Sequence, residues 1–547
     1  MATFMDTSTK ELVDAFNALP LPSEGLSGCL PNEWHFDLRF IQIEPNPSHI
    51  IYFVQPQTRY THMQRLPLGT PSDQPGLAFF PDTAEEAAPV LAKAILHALM
   101  NNMGQEPIAE SRPTSISTPW KFTTADRTLA AAVSREFQRL GLSAERLWVV
   151  RVSKPSTILV AQDCFTIAYK GHLASIGFPD AFTSIIRTPD SVTFENFTVA
   201  SPEPDQLESF MRQMRNEEQN QAQLLLDYFM QRQNALPSDG NERDTRAQLD
   251  NDDSGIDAIK KLYEEKSTTV IRAEADLGDA KAALDYAIRL TVGLGCSRSR
   301  KAAHEYLIKA AYSETVSDIV KATAHGMLIS WCTGASKNVI RSRYFYAACH
   351  HANEAARLCL TVSPPGAPAS PAVLWFMKKI FEPFAEGYPE SYMWYKYAIE
   401  AYGAREQQWR HGIKKMAKLR LKNPNRYRCA APGCSVEADT GSMLSRCAGR
   451  CDLDKKPSYC SKSCQKADWP NHKPYCRPGA ECSVIDDSEY DIAETAPSSK
   501  SSSGALQVPV TLPSGKTILL SSSTMGAEAL TNLQNLAIEN QEVNYEA

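Results

Sequence analysis

Seven cysteines and one histidine fall within 48 residues of this 547-residue chain, and they arrive in four pairs. The pairs are Cys429-x4-Cys434, Cys447-x3-Cys451, Cys460-x3-Cys464 and His472-x3-Cys476. Two donors a few residues apart on a tight turn supply half of a tetrahedron, and thiolates with an imidazole select zinc. Eight donors fill two closed sites and leave no position for water, which is the structural pattern rather than the catalytic one. Turn residues support the pairs: Pro432-Gly433 lies inside the first and Gly449 inside the second. So short a segment cannot fold by apolar burial alone, so two Zn2+ ions must supply the fold, at about 10–16 kcal/mol for a structural zinc.

The rest of the composition sets broader bounds. Hydrophobic residues make up 43% and charged residues 22%, enough to bury cores in two to four domains. The net charge of −6 gives no general attraction to nucleic acid or an anionic membrane. No run of about 18 apolar residues predicts a membrane span, and the start of the chain has no basic-then-apolar leader pattern. Of 14 cysteines, six (Cys29, Cys164, Cys296, Cys332, Cys349, Cys359) are scattered and read as reduced thiols. That pattern predicts a cytoplasmic or nuclear protein.

The fold class expected is multidomain α+β. Residues 1–235 form a mixed α/β domain of unstated role. Trp34–Ile43 and Ile50–Gln55 alternate like strands, and the apolar spacing after Thr83 predicts a helix. Thr123 and Asp126 read as a capping-box start, with Gly141 as the C-terminal cap. Leu147–Val152, Thr157–Ala161 and Phe165–Tyr169 read as strands, and about 203–233 as a helix. Residues 236–257 form an acidic linker. Residues 258–428 are an α-helical region, interrupted by a Pro-rich connection at 363–371 and ending in a basic helix from Arg405 to Arg428. The finger occupies 429–476. A mostly disordered tail, 477–547, carries a hairpin at 507–520 about Pro513-Ser-Gly-Lys516. A lone hairpin is marginal in water, so it docks or forms only transiently.

Two resemblances follow from these residues. Gly293-Leu-Gly295 between two helices, followed by Tyr306 and Lys309-Ala-Ala311, resembles a short tetratricopeptide-like repeat. Looser units lie over Ala322–Ala348 and around Trp394–Ala398. Tyr459-Cys460-x3-Cys464-Gln465-x3-Trp469-x2-His472-x3-Cys476 resembles the closing half of a MYND-type zinc finger, over about 9% of the chain. That resemblance implies interleaved sites: Cys429, Cys434, Cys460 and Cys464 on one zinc, Cys447, Cys451, His472 and Cys476 on the other. Spacing alone also permits the first four and the last four. The resemblance further implies a protein-interaction groove that takes proline-rich peptides, lined by Gln465 and Trp469. An exposed indole suits proline rings; the alternative for Trp469 is a place in the finger's own small core. The first two pairs are wider than the family's usual two intervening residues, and Ala448 stands where a polar residue is common.

The function expected is a zinc-binding adaptor that recruits protein partners, without nucleic acid or membrane. The alternative is an enzyme with a site in the N-terminal domain and the finger as targeting arm. The knot and cofactor loop of a SET methyltransferase are not found, nor is a nucleophile elbow or phosphate loop. A RING-type ligase needs another ligand order. Asp163, Cys164 and His172 read as structural. The proline pair Pro509 and Pro513 suggests that the tail docks on its own finger.

Overall fold

The computed structural model describes residues 9–20, 33–71, 74–101, 103, 119–143, 149–175, 188–194, 217–237, 261, 263, 265–335, 342–362, 369–438, 443–484, 506–511, 517–522, 525–532 and 535. They divide into two compact units, one drawn from 1–237, 261–365 and 369–400, the second chiefly from 401–547. The acidic stretch from 238, the Pro-rich connection at 363–368, Cys29 and the serine run at 498–503 lie outside the described residues. No described helix is long and apolar enough to cross a membrane.

The first unit is built on a five-stranded sheet. Strands β1 (Glu33–Ile41), β2 (Ser48–Gln55), β3 (Tyr60–Leu66), β4 (Lys121–Thr124) and β5 (Val150–Val152) stand in the order β3-β2-β1-β4-β5. The β1–β2 and β2–β3 pairs are antiparallel, whereas β1–β4 and β4–β5 are parallel. Alternation sorts the side chains. Trp34, Phe36, Leu38, Ile51 and Phe53 face helices α1 (Thr9–Ala18), α2 (Ala84–Met100) and α3 (Arg127–Leu140) in one core. Ile50, Tyr52 and Val54 face α4 (Pro155–Ser175) in another.

Helix α4 corrects two expectations. Thr157–Ala161 and Phe165–Tyr169 are not strands but parts of this one helix. β-branched composition suggested strands, yet Ala161, Cys164, Phe165, Tyr169 and Leu173 recur at helical spacing and bury against the sheet, while Leu159 and Ile167 stay 68% exposed. Thr123 likewise lies inside β4, so Asp126 alone caps α3, its carboxylate accepting from Leu129 N at 2.7 Å. Gly141 ends that helix at φ +82°.

The helical part of the unit contains α5 (Glu217–Ala235), α6 (Thr268–Asp276), α7 (Ala280–Val292), α8 (Arg300–Ala311), α9 (Asp318–Thr333) and α10 (Arg343–Val362), and from α6 onward successive helices pack on one another. Small residues allow close approach: Ala283, Ala287, Ala303, Ala310 and Ala311 share one core with Tyr286 and Tyr306. Gly293 caps α7 at φ +85°, and a Cβ on Gly295 would meet Tyr263 and Thr268 side-chain oxygens within 2.6 Å. Sheet and helices are tied by charge. Asp82 pairs with Arg300 at 2.8 Å and accepts from Tyr344 Oη at 2.5 Å, and Glu44 pairs with His350 at 2.8 Å.

The second unit holds the rest of the basic helix α11 (Lys396–Lys422), then α12 (Pro424–Tyr427), β6 (Glu437–Ala438), β7 (Ser445–Arg446), β8 (Ser458–Tyr459), α13 (Lys462–His472), β9 (Leu506–Thr511) and β10 (Thr517–Ser522). β7 pairs with β8, and a separate three-stranded sheet runs β10-β9-β6. Among the described residues of 477–547, the expected hairpin is present. Residues 477–484 continue the finger, and the hairpin strands pair in register from Leu506↔Ser522 to Thr511↔Thr517.

Candidate metal centre

Four short elements deliver the eight predicted ligands. Cys429 follows α12 and its amide donates to Val436 O at 3.0 Å, which brackets the loop carrying Cys434. Gly433 at φ +75° makes that loop's turn. Cys460 follows β8, and Cys464 sits in the first turn of α13, where its amide donates to the Ser461 cap at 3.1 Å. His472 closes the same helix, so α13 serves both sets.

The ligand atoms gather as two groups, each within 4.8 Å of one another: Cys429, Cys434, Cys460, Cys464, and Cys447, Cys451, His472, Cys476. This is the interleaved arrangement, not the sequential one. Zinc–sulfur bonds of about 2.3 Å at tetrahedral angles require sulfur–sulfur edges of about 3.8 Å. The separations are 3.7 Å for Cys434–Cys460, 3.5 Å for Cys460–Cys464 and 3.7 Å for Cys447–Cys476. Cys451 Sγ lies 3.7 Å from His472 Nε2. Both donor sets thus fit zinc in size and chemistry. Their electrostatics agree. Hydrogen bonds from Cys429 and Cys460 hold the Cys434 thiol far below its ordinary range, and the same crowding pushes Cys460 up. The Cys434 thiolate is favoured while Cys429 and Cys460 resist ionisation, a conflict that a divalent cation relieves.

The surrounding groups were not legible in the spacing. His472 Nδ1 lies 2.8 Å from Ser483 Oγ, which leaves Nε2 for the metal. Lys456 Nζ donates to Cys447 O and Gly449 O at 3.1 and 2.9 Å and closes the second loop. Tyr459 Oη donates to buried Asp468 at 2.8 Å, fastening α13 to β8. Burial and that carboxylate push the phenol's pKa up, so it stays protonated and remains a donor. Gly449 matters for space: a Cβ there would lie 2.2 Å from Cys476 Sγ. With every position filled by protein, zinc at these sites organises the chain and presents no coordination site for water or substrate.

The MYND finger family model matches residues 428–476. Residues 428–476 are a MYND finger. No curated protein and no solved structure matches the chain. Within the finger the two other predicted site residues differ in exposure: Trp469 is 42% exposed and Gln465 is half-buried. The finger's own core is made by Val436, Ala438, Leu444 and Tyr459 with the buried cysteines.

Outside the finger, Asp163 and His172 are exposed while Cys164 is buried against Tyr52, so these three do not converge. A different set does meet, unseen in the sequence. His35 Nδ1 lies 2.7 Å from Ser153 Oγ, and His35 Nε2 lies 3.0 Å from Asp37. Asp37 also pairs with Arg39 at 2.8 Å. All four are buried; His35, Asp37 and Arg39 lie on the polar face of β1 that meets α4, Ser153 follows β5, and Arg39 lies 4.1 Å over Phe165. The set is a polar joint closed to solvent.

Proposed function

We propose that this chain is an adaptor whose MYND finger docks protein partners, with Trp469 and Gln465 forming the contact surface for short proline-rich segments. MYND fingers are protein-interaction modules, which supports protein partners in general. The observation that carries the finer reading is the exposure of Trp469. Its indole is 42% exposed, and Tyr475 at 40% and Leu453 at 75% are further exposed apolar groups of the finger. A large exposed indole beside a zinc core already filled by Tyr459 and Val436 is available for binding. We also propose that the paired helices α7–α10 serve as a second, tetratricopeptide-like platform, and that the protein works in the cytoplasm or nucleus.

The test is capture from native extract with the full chain and with Trp469→Ala, each first shown to hold two zincs. Partners lost with the variant support the groove. Identical capture by both removes Trp469 from the function. A foothold for the enzyme alternative among the described residues is a cavity of about 220 Å³ in the first unit, lined by Phe40, Asp190, Arg343 and Tyr344 among others. It is smaller than the usual range of about 300–1,000 Å³ for ligand sites.

A further inference from the structure

The MYND match ends at residue 476, yet the finger's sheet is completed by a strand that arrives at residue 506. β9 lies antiparallel to β6 in the register Glu437↔Gln507 and Ala438↔Leu506. Leu506 and Val508 are 6% and 0% exposed, in one core with Val436, Ala438, Leu444 and Tyr459. Ala527 and Leu530, on the helical turn after the hairpin, are buried in the same core. The tail therefore covers an edge and an apolar face belonging to a module whose shared part does not include it.

Two features set the strength of that hold. The hairpin spends its ladder on itself: β9 pairs with β10 over six positions and with β6 over two. It is thus a largely self-paired unit, fixed to the finger mainly by a few apolar side chains. The edge it occupies is also metal-dependent, since β6 follows Val436, whose carbonyl accepts from the Cys429 amide.

We infer that the tail hairpin is an exchangeable internal ligand of the finger. The β6 edge accepts an extended strand with apolar residues two apart, Leu506-x-Val508 fills it in cis, and a partner segment of that pattern takes its place by strand addition. Exchange makes the tail a competitor tethered at millimolar effective concentration, so partner binding at this edge is held back until the tail is released. The regulatory meaning rests on the adaptor reading; the exchange itself does not.

The experiment uses the full chain with a protease site inserted within the 498–503 serine run and a fluorescent peptide of residues 504–524. Zinc content is measured throughout. Uncut protein should bind the peptide at least about 100-fold more weakly than cut protein. Val508→Asp in the uncut chain should admit the peptide with both zincs retained. The inference is overturned if the cut tail cannot be displaced by excess peptide. It is equally overturned if Val508→Asp with two zincs binds no peptide, or if cutting or the substitution expels zinc, because the strand is then part of the metal fold. No partner protein enters this test, so a failed Trp469 capture leaves its outcome intact.

Discussion

Phe53 in the first unit and Tyr459 in the second are both fully enclosed, but by different kinds of neighbour. Phe53 lies among Phe122, Phe36 and Leu91 in a core drawn from strands and helices scattered over the first 200 residues. Tyr459 lies among Cys429, Cys447 and Cys451, in a small core that metal ligands share with a few aliphatic side chains. One region is specified by the volume and shape of many apolar side chains, any of which tolerates a similar neighbour. The other is specified by eight atoms that must reach two points. Sequence spacing encodes the second kind of constraint directly and the first only through tertiary packing.

Removing zinc should separate the two regions most sharply. Chelation takes about 10 kcal/mol or more from the finger and nothing from the first unit. Near-ultraviolet signals and protease sensitivity of 428–484 should change while the helical signal of the first unit persists. The tail strand should be released as well, because β6 depends on the Cys429 loop. A single cooperative loss of both regions on chelation would break the comparison.

Acid should attack the first unit, even in chelated protein where the finger contributes nothing. His49, His325 and His351 are held well below the ordinary histidine value by burial, assisted by Arg343 for His49 and by His350, Arg357 and Lys321 for His325. His325 and His351 face one another Nδ1 to Nδ1 at 3.0 Å, an arrangement that needs one of them to be a neutral acceptor. Burial also pushes His304 down to about 4, with Asp82 opposing and Arg300 adding. The folded state then binds fewer protons than the unfolded one. Its stability is complete above about pH 6.5 and falls below it, by up to about 1.4 kcal/mol per histidine per unit. His350 runs the other way: burial pulls it down, but Glu44 and Glu354 together raise it; its contribution is already complete below about pH 6.5 and does not cancel the loss. The urea midpoint should drop between pH 6.5 and 5.5 by the equivalent of roughly 4 kcal/mol. Equal midpoints would remove these histidines as buried neutral groups.

What the sequence disclosed follows the same division. All eight ligands and the hairpin were legible, because ligand spacing and turn residues act locally. In the first unit the Asp126 cap, the Gly141 stop and the strands at Trp34 and Ile50 were legible for the same reason. Helix α4 was not: its Thr157-Ile-Leu-Val160 text favours a strand, and only burial of Phe165 and Tyr169 against the sheet decides otherwise. The joints made by Asp82 with Arg300 and Glu44 with His350 join residues more than 200 apart, beyond any local pattern.

Gly449→Ala tests the finger's rigidity directly. The added Cβ would stand 2.2 Å from Cys476 Sγ, so a ligand must move. Zinc affinity at the second site should fall about 100-fold, near 2.7 kcal/mol, while the first site keeps its metal. Gly433→Ala meets no atom within 4 Å and is strained only by its φ of +75°, so it should cost about 1 kcal/mol.

The smallest effect on zinc affinity at the second site should come from Ser483, which lies outside the matched 428–476 segment. Its hydroxyl meets His472 Nδ1 at 2.8 Å and so orients the ring with Nε2 toward Cys451. Removing an outer-shell partner of a metal-bound histidine typically lowers affinity 10–100-fold. Ser483→Ala should fall at the low end, about tenfold or 1.4 kcal/mol, because burial independently holds His472 below its ordinary value and ready as a neutral ligand. Competition with a chromophoric chelator measures it, and Ser483→Thr should restore most of the loss. If alanine and wild type release zinc alike, the ring is oriented by α13 alone, and the metal-organised region ends where the family match ends.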